Sequence, residues 1–235
     1  MKKGKIFSVL TNCALMAVVL AVSLVGYFSG GARAVSYENT NLYYGGKEGS
    51  EAVSLTFNVY ENTENVKRIM DTLDEYGATA TFFIGGCWAD DNVDCVREIY
   101  NRGFELGSHG YFHKDHSKMS YEANLEEIRP SVKILEMICG KKVTLFAPPS
   151  GAFCENTLSA CAQLDMSVIM WSRDTIDWRD KSVDLIVKRA TENLKNGEFI
   201  LMHPKDVTVE ALPKILTYIR ENGLKTATVS QNLGE

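Results

Sequence analysis

Residues 104–113 read Phe104-Glu105-Leu106-Gly107-Ser108-His109-Gly110-Tyr111-Phe112-His113, a short apolar strand over 104–107 that delivers two histidines four positions apart. The same design, a strand ending in polar chemistry, recurs along the chain. Asn58 and Tyr60 close the β-rich run 53–60, and Pro148-Pro149 follow a strand at 143–146. Asp174 and Asp177 follow 167–171, and His203 ends the apolar run 199–202. A further strand is expected at 78–84 and a last one near 225–229. Helical periodicity fills the intervals at 64–76, 93–101, 120–138, 155–164, 183–195 and 209–222. Gly77, Gly103, Gly140, Gly197 and Gly223 supply stop signals. About seven such alternations predict parallel strands joined by right-handed crossovers in a single α/β domain. In an open doubly wound sheet, only the strands beside one switch point converge on a site. Polar residues past five separate strand ends predict a parallel (β/α) barrel, with its site at the carboxyl-terminal face.

Composition narrows the partners. The chain has 235 residues, 45% of them hydrophobic, which excludes disorder and is too long for a small disulfide scaffold. With 25 basic against 30 acidic residues, it lacks the basic surface that nucleic acid requires. Residues 1–34 stand apart: Lys2, Lys3 and Lys5 precede an apolar stretch from about 13 to 28, and Ala32-Arg33-Ala34 follows. That pattern predicts a secretory signal or a retained membrane anchor, so the domain is secreted or anchored with an extracellular domain. Any membrane link runs through this segment. It holds four of the basic residues and none of the acidic ones, which leaves the remainder with a net charge of −9. Residues 35–51 read as a linker and 52–235 as the domain. Cys87, Cys95, Cys139, Cys154 and Cys161 remain after it. Cys87/Cys95 and Cys154/Cys161 are close enough in sequence to bridge, the alternative being small buried hydrophobes.

His109 and His113 meet on one face if their loop opens into a helical turn, a geometry that suits two metal ligands. Zn²⁺ is the default, with Co²⁺, Mn²⁺ or Ni²⁺ as alternatives. His116 is a third candidate ligand, though in a polar loop it reads more readily as a solvated side chain. His203, at the same face as the pair, reads as a general acid or base. Asp174 and Asp177 alternate with Trp171 and Trp178, which suits a sugar site of stacked rings and hydrogen-bonding carboxylates. Asp177 as a helix cap is the competing reading.

These motifs together resemble the polysaccharide deacetylases with a NodB-homology domain, carbohydrate esterase family four. The resemblance rests on Leu55-Thr56-Phe57, on Ala80-Thr81-Phe82-Phe83-Ile84-Gly85 and on Glu105-Leu106-Gly107-Ser108-His109 with His113. It continues in Ala147-Pro148-Pro149-Ser150-Gly151, in Trp171-Ser172-Arg173-Asp174 with Asp177-Trp178, and in Leu201-Met202-His203. It spans about 52–233 and implies a distorted (β/α) barrel. It implies a divalent metal on His109 and His113 that activates water against an acetamide, with His203 protonating the departing amine. It also implies a glycan groove lined by the 148–151 loop, with Pro149, Ser150, Tyr60 and Trp178 as substrate-binding residues.

The chain departs from that pattern at two places. The family's first motif ends in two aspartates, a general base and a third metal ligand, and here Asn58 and Val59 follow Phe57. The arginine that steadies the base is replaced by Ala147. Asn58 remains a candidate weak ligand, since an amide oxygen accepts but cannot take a proton near neutral pH. Glu61, Glu64 and Asp174 are the candidates for a substitute base. The expectation is an exported metal-dependent deacetylase of N-acetylated sugars in a cell-wall glycan, peptidoglycan or chitin-like. The alternatives are a catalytically impaired, glycan-binding member of the fold, and a hydrolase of another acyl substrate.

Overall fold

Every residue of β2 (Ser54–Val59) is buried in the computed structural model, which describes Met16 and residues 41–234. Burial on both faces is the mark of a parallel strand covered by helices. β2 pairs in parallel with β3 (Thr81–Ile84) on one side and β8 (Phe199–Met202) on the other. β4 (Glu105–Ser108), β5 (Leu145–Phe146) and β6 (Ser167–Ile169) extend the sheet past β3. β1 (Leu42–Tyr43) and β7 (Arg173–Asp174) close its two edges, giving the order β1-β6-β5-β4-β3-β2-β8-β7. The result is the expected distorted (β/α) barrel, left open between β1 and β7 and built from eight strands rather than about seven.

The helices follow their sequence signals, except that the one expected over 183–195 ends at Thr191, well before Gly197. α1 (Thr63–Glu75) buries Val66, Ile69, Met70 and Leu73, α2 is Gly86–Asp91 and α3 is Val93–Asn101. α4 (Tyr121–Cys139) starts where the Ser120 hydroxyl accepts from Ala123 N–H and stops at Gly140, whose φ of 69° few other residues adopt. α5 (Glu155–Gln163), α6 (Val183–Thr191) and α7 (Asp206–Glu221) complete the outer layer.

Other features differ from the sequence reading, which expected one strand at 167–171 where the structure has β6 and then β7. The segment read as a linker carries β1, whose Leu42 and Tyr43 pair with Val168 and Ile169. The last strand, expected near 225–229, is reduced to one bridge from Thr226 to Val53. Thr228 and Gln231 form a reciprocal capping box there, which starts helix α8 (Val229–Leu233) instead. α2 had no counterpart in the sequence reading. The segment read as signal or anchor lies outside the described residues apart from Met16. Among the described residues, no helix is long and apolar enough to cross a membrane.

Strand alternation divides the core in two. Leu55, Phe57, Val59, Phe82, Ile84, Ile200 and Met202 point outward into the helix layer, where the Phe57 and Phe82 rings lie 5.1 Å apart. Phe83, Leu145, Ala147, Ile169 and Phe199 pack within the barrel, closed beneath by Val229 and Leu233 of α8. Gly107 belongs to this inner set. A Cβ there would sit 2.5 Å from the Phe83 ring and 3.2 Å from the Leu145 carbonyl oxygen. Gly107→Ala should therefore destabilise the fold by about 1–3 kcal/mol through overpacking, read as a lower midpoint in urea. An unchanged midpoint would show that the inner layer has slack.

Candidate active site

The inner parity of the strands continues past their ends. Asn58 follows Thr56 by two residues, His109 follows Gly107, and His203 follows Leu201, so all three side chains emerge on the inner face. They line one cavity of about 450 Å³ together with Tyr60, Glu61, His113, Ser150, Asp174 and Trp178. Of the other site residues read from sequence, Pro149 is buried and does not line the cavity. Glu64 is exposed in the first turn of α1 and does not line it.

His109 is 2% exposed, and its Nδ1 lies 2.8 Å from the Ala147 carbonyl oxygen. A carbonyl only accepts, so Nδ1 carries the proton and the Nε2 lone pair is left bare. Burial, and then the neighbouring His113, push its pKa down to about 3, so the ring is neutral. His113 stands at the rim in a left-handed conformation (φ 55°), its ring centroid 5.1 Å from His109 and 5.2 Å from Tyr60. Desolvation lowers its pKa as well. The two imidazoles are thus neighbours, brought together by a turn rather than by a helix.

His116 corrects the sequence reading, because it is fully buried rather than solvated. Asp115 caps a short 3₁₀ turn at His116–Lys118, and the ring lies against Phe146, with centroids 5.1 Å apart. Its Nδ1 is 2.6 Å from Asn124 Oδ1, while the Asn124 amide nitrogen donates to the Met119 and Ser120 carbonyls. Nε2 has no partner. Burial lowers its pKa too.

Asp177 was read as a sugar-binding carboxylate or a helix cap, and it is neither. It is wholly buried, accepting from His203 Nδ1 at 2.8 Å, from His203 N–H at 2.6 Å and from the Thr208 hydroxyl. That fixes the tautomer of His203 and leaves its Nε2 for the cavity. Asp174, two residues before the left-handed Ile176, accepts from Ile176 N–H at 2.8 Å and so shapes the turn that delivers Asp177. Spacing alone did not separate the two aspartates, because their roles depend on which one the turn buries.

Asn58 is 6% exposed and its Oδ1 has no hydrogen-bond partner. Val59 points the other way, into the helix layer. Glu61 is ion-paired with Lys205. Among the described residues, no cluster of three His, Cys, Asp or Glu side chains is arranged to hold a metal. His109, His113 and the orphaned Asn58 oxygen share the cavity and are the residues that would hold a divalent ion. The five described cysteines are free thiols, so neither Cys87/Cys95 nor Cys154/Cys161 is bridged. Cys87 instead lies 2.8 Å from the Tyr60 hydroxyl, whose pKa is raised by burial and by this contact.

Known proteins share this architecture. The profile of the polysaccharide deacetylase family matches residues 45–169. The uncharacterized protein YlxY of Bacillus subtilis (strain 168) is 33% identical over 192 residues, 82% of this chain and 60% of that protein. The chain therefore spans less than two thirds of that relative. A peptidoglycan-N-acetylglucosamine deacetylase of Bacillus cereus is 29% identical, covering 79% of this chain and 70% of its own length. Among solved structures, BA3943 of Bacillus anthracis, described as a CE4 family pseudoenzyme, superposes with a TM-score of 0.79 at 30% identity. That match covers 82% of this chain and 69% of the other, and a mutant of the same protein is described as having restored enzymatic activity.

The buried histidines carry a stability prediction. Their folded pKa values lie below the unfolded value of about 6.5, so the unfolded chain binds more protons in acid. Their contribution is whole above about pH 7 and is lost progressively as pH falls below about 6.5 toward the lowered folded values, about 3 for His109. Thermal midpoints should drop between about pH 7.5 and pH 5. His116→Gln, which keeps a donor for Asn124 but does not titrate, should flatten that slope; an unaltered slope would exclude His116 as a contributor.

Proposed function

The chain belongs to the polysaccharide deacetylase family, and from that premise we propose that it is a glycan-binding member whose deacetylation chemistry is impaired. The observation that carries this reading is Asn58, a buried amide with an unpartnered oxygen where hydrolysis needs a carboxylate to take a proton. Neither carboxylate that lines the cavity stands where Asn58 does: Asp174 accepts from Ile176 N–H in its own turn, and Glu61 pairs with Lys205 at the mouth. Ala147 and Val59, where the family carries arginine and a ligating aspartate, fit the same loss. An arginine at 147 would bury a cation beside a neutral amide, which is costly. The likeness to a CE4 pseudoenzyme supports the reading.

The binding half of the site is retained. Trp171, Trp178 and Tyr60 line the cavity and offer ring faces to a sugar, and Ser150 offers a hydroxyl. His203, held by Asp177, is placed to give a proton to a departing amine. His109, His113 and Asn58 would hold a divalent ion, with Zn²⁺ as first choice and Co²⁺, Mn²⁺ or Ni²⁺ as alternatives. When bound, such an ion polarises a carbonyl and acidifies a water. A neutral donor set holds a dication less tightly than one with a carboxylate, so weak metal retention belongs to the same reading. The ligand we assign is an N-acetylated wall glycan, peptidoglycan or chitin-like, reached by export through the segment 1–34.

The second reading, a metal-dependent deacetylase with Asp174 or Glu61 as base, is favoured by the intact His203–Asp177 pair. Acetate release and glycan titration separate the two. Binding without appreciable acetate release is expected of the purified chain. Asn58→Asp should raise release by about a hundredfold, the usual contribution of a positioned base. Robust release from the unaltered chain, abolished by Asp174→Asn or Glu61→Gln, would overturn the impaired reading. The histidine pair is checked by metal content: His109→Ala and His113→Ala should each abolish Zn²⁺ uptake measured by calorimetry, and retained uptake would place the ion elsewhere.

A further inference from the structure

Lys205 and Glu61 form an ion pair at the mouth of the cavity, between the loop that follows β2 and the loop that follows β8. Their backbones are held by one buried residue, Asn65. Its amide nitrogen donates to the Pro204 carbonyl at 3.2 Å and to Asp206 Oδ1 at 2.8 Å. Its own N–H donates to Asn62 Oδ1 at 3.1 Å, fixing the left-handed turn beside Glu61. The two loops are therefore tied together, and only the tips of the two charged side chains remain free to exchange partners.

The halves of the pair are unequal. The Lys205 side chain is 29% exposed and Glu61 is 56% exposed, so the lysine is the seated partner and the glutamate the solvated one. Lys205 is also the one lysine or arginine among the described residues that line the cavity, two positions beyond His203. Two other carboxylates lie close by. Asp206 is engaged by Asn65, and Asp174 ends β7, on the far side of β8 from Glu61. A cation set in a cavity of stacking rings, answered by a glutamate that water can readily solvate, is a site with a replaceable counter-ion. An ion pair this open holds its partners weakly, so exchanging one carboxylate for another meets little resistance.

We propose that Lys205 selects glycans that carry a carboxylate, with Glu61 as a resident stand-in that the ligand displaces. The inference rests on the glycan-binding reading and names its ligand class, an acidic sugar. A ring stacked in the groove places its carboxylate on Lys205 Nζ, and the released Glu61 turns to solvent. The contact is a charge-assisted hydrogen bond, which is stronger than a neutral one and weakened by salt. Glu61 lowers the gain, because each binding event trades one ion pair for another.

Calorimetric titration of the full chain with three oligosaccharides of equal length tests this. One is a neutral N-acetylglucosamine oligomer, one carries a lactyl ether carboxylate on alternate sugars, and one contains hexuronic acid. At least one acidic oligomer should bind about tenfold tighter than the neutral one at low salt, and the better of the two identifies the source of the carboxylate. Glu61→Gln should widen the ratio of acidic to neutral affinity, Lys205→Gln should bring it to one, and added salt should narrow it. Neutral binding with no acidic preference, or a preference that survives Lys205→Gln, would overturn the inference and leave glycan binding standing. No binding of any oligomer would overturn the glycan-binding reading, and this inference with it.

Discussion

The period-two alternation of parallel strands under a helical layer governs this molecule. The inner strands β2, β3, β5, β6 and β8 are buried on both faces, and one face must satisfy the helices while the other fills the barrel. Leu55, Phe57 and Val59 answer the first demand, and Thr56 and Asn58 occupy the second face. Because β2, β3, β4 and β8 pair in register, their inner positions rise together. The residues two steps beyond Thr56, Gly107 and Leu201 then open into one cavity. A one-residue slip of any strand would send Asn58, His109 or His203 into the helix layer.

That parity also explains what the cavity has lost. Val59 is an outward residue in this register and serves the apolar layer, so it leaves no ligand in the cavity. Ala147 faces inward, where its methyl group packs against Phe83 and its neighbours, while its carbonyl oxygen fixes the tautomer of His109. The site is therefore held by dipoles and neutral rings on one side. On the other side, Asp177 is buried against His203 and Thr208. A buried charge survives where its hydrogen bonds are complete, as at Asp177. Where the partner is absent, as at Asn58 and Ala147, the charges are gone from both positions.

Much of this was legible before folding. The histidines of 109–113 and 203, the apolar runs before them and the glycine stops after several of the helices mark a barrel, because strand and helix periods differ and each leaves its imprint over a few residues. Thr228 was misread because β-branched residues favour strands on average, whereas its capping box with Gln231 is a local hydrogen-bonding choice that starts a helix. His116 was misread because its neighbours are polar. Its burial against Phe146 comes from a strand thirty residues away in sequence. Asp174 and Asp177 could not be told apart, since the left-handed turn at Ile176 decides which carboxylate goes under the cavity.

Residue order alone therefore specifies the fold class, the identity of the three cavity histidines and the absence of a carboxylate at position 58. These are properties of local period and residue type, which need no distant partner to be read. Folding adds the pairings between segments far apart in sequence: Asp177 with His203, the Ala147 carbonyl with His109, and Lys205 with Glu61 across the mouth. Each depends on strands that meet through long crossovers. No spacing along the chain encodes those distances, and they decide which of the remaining polar groups orient, which bind, and which stand exchangeable at the rim.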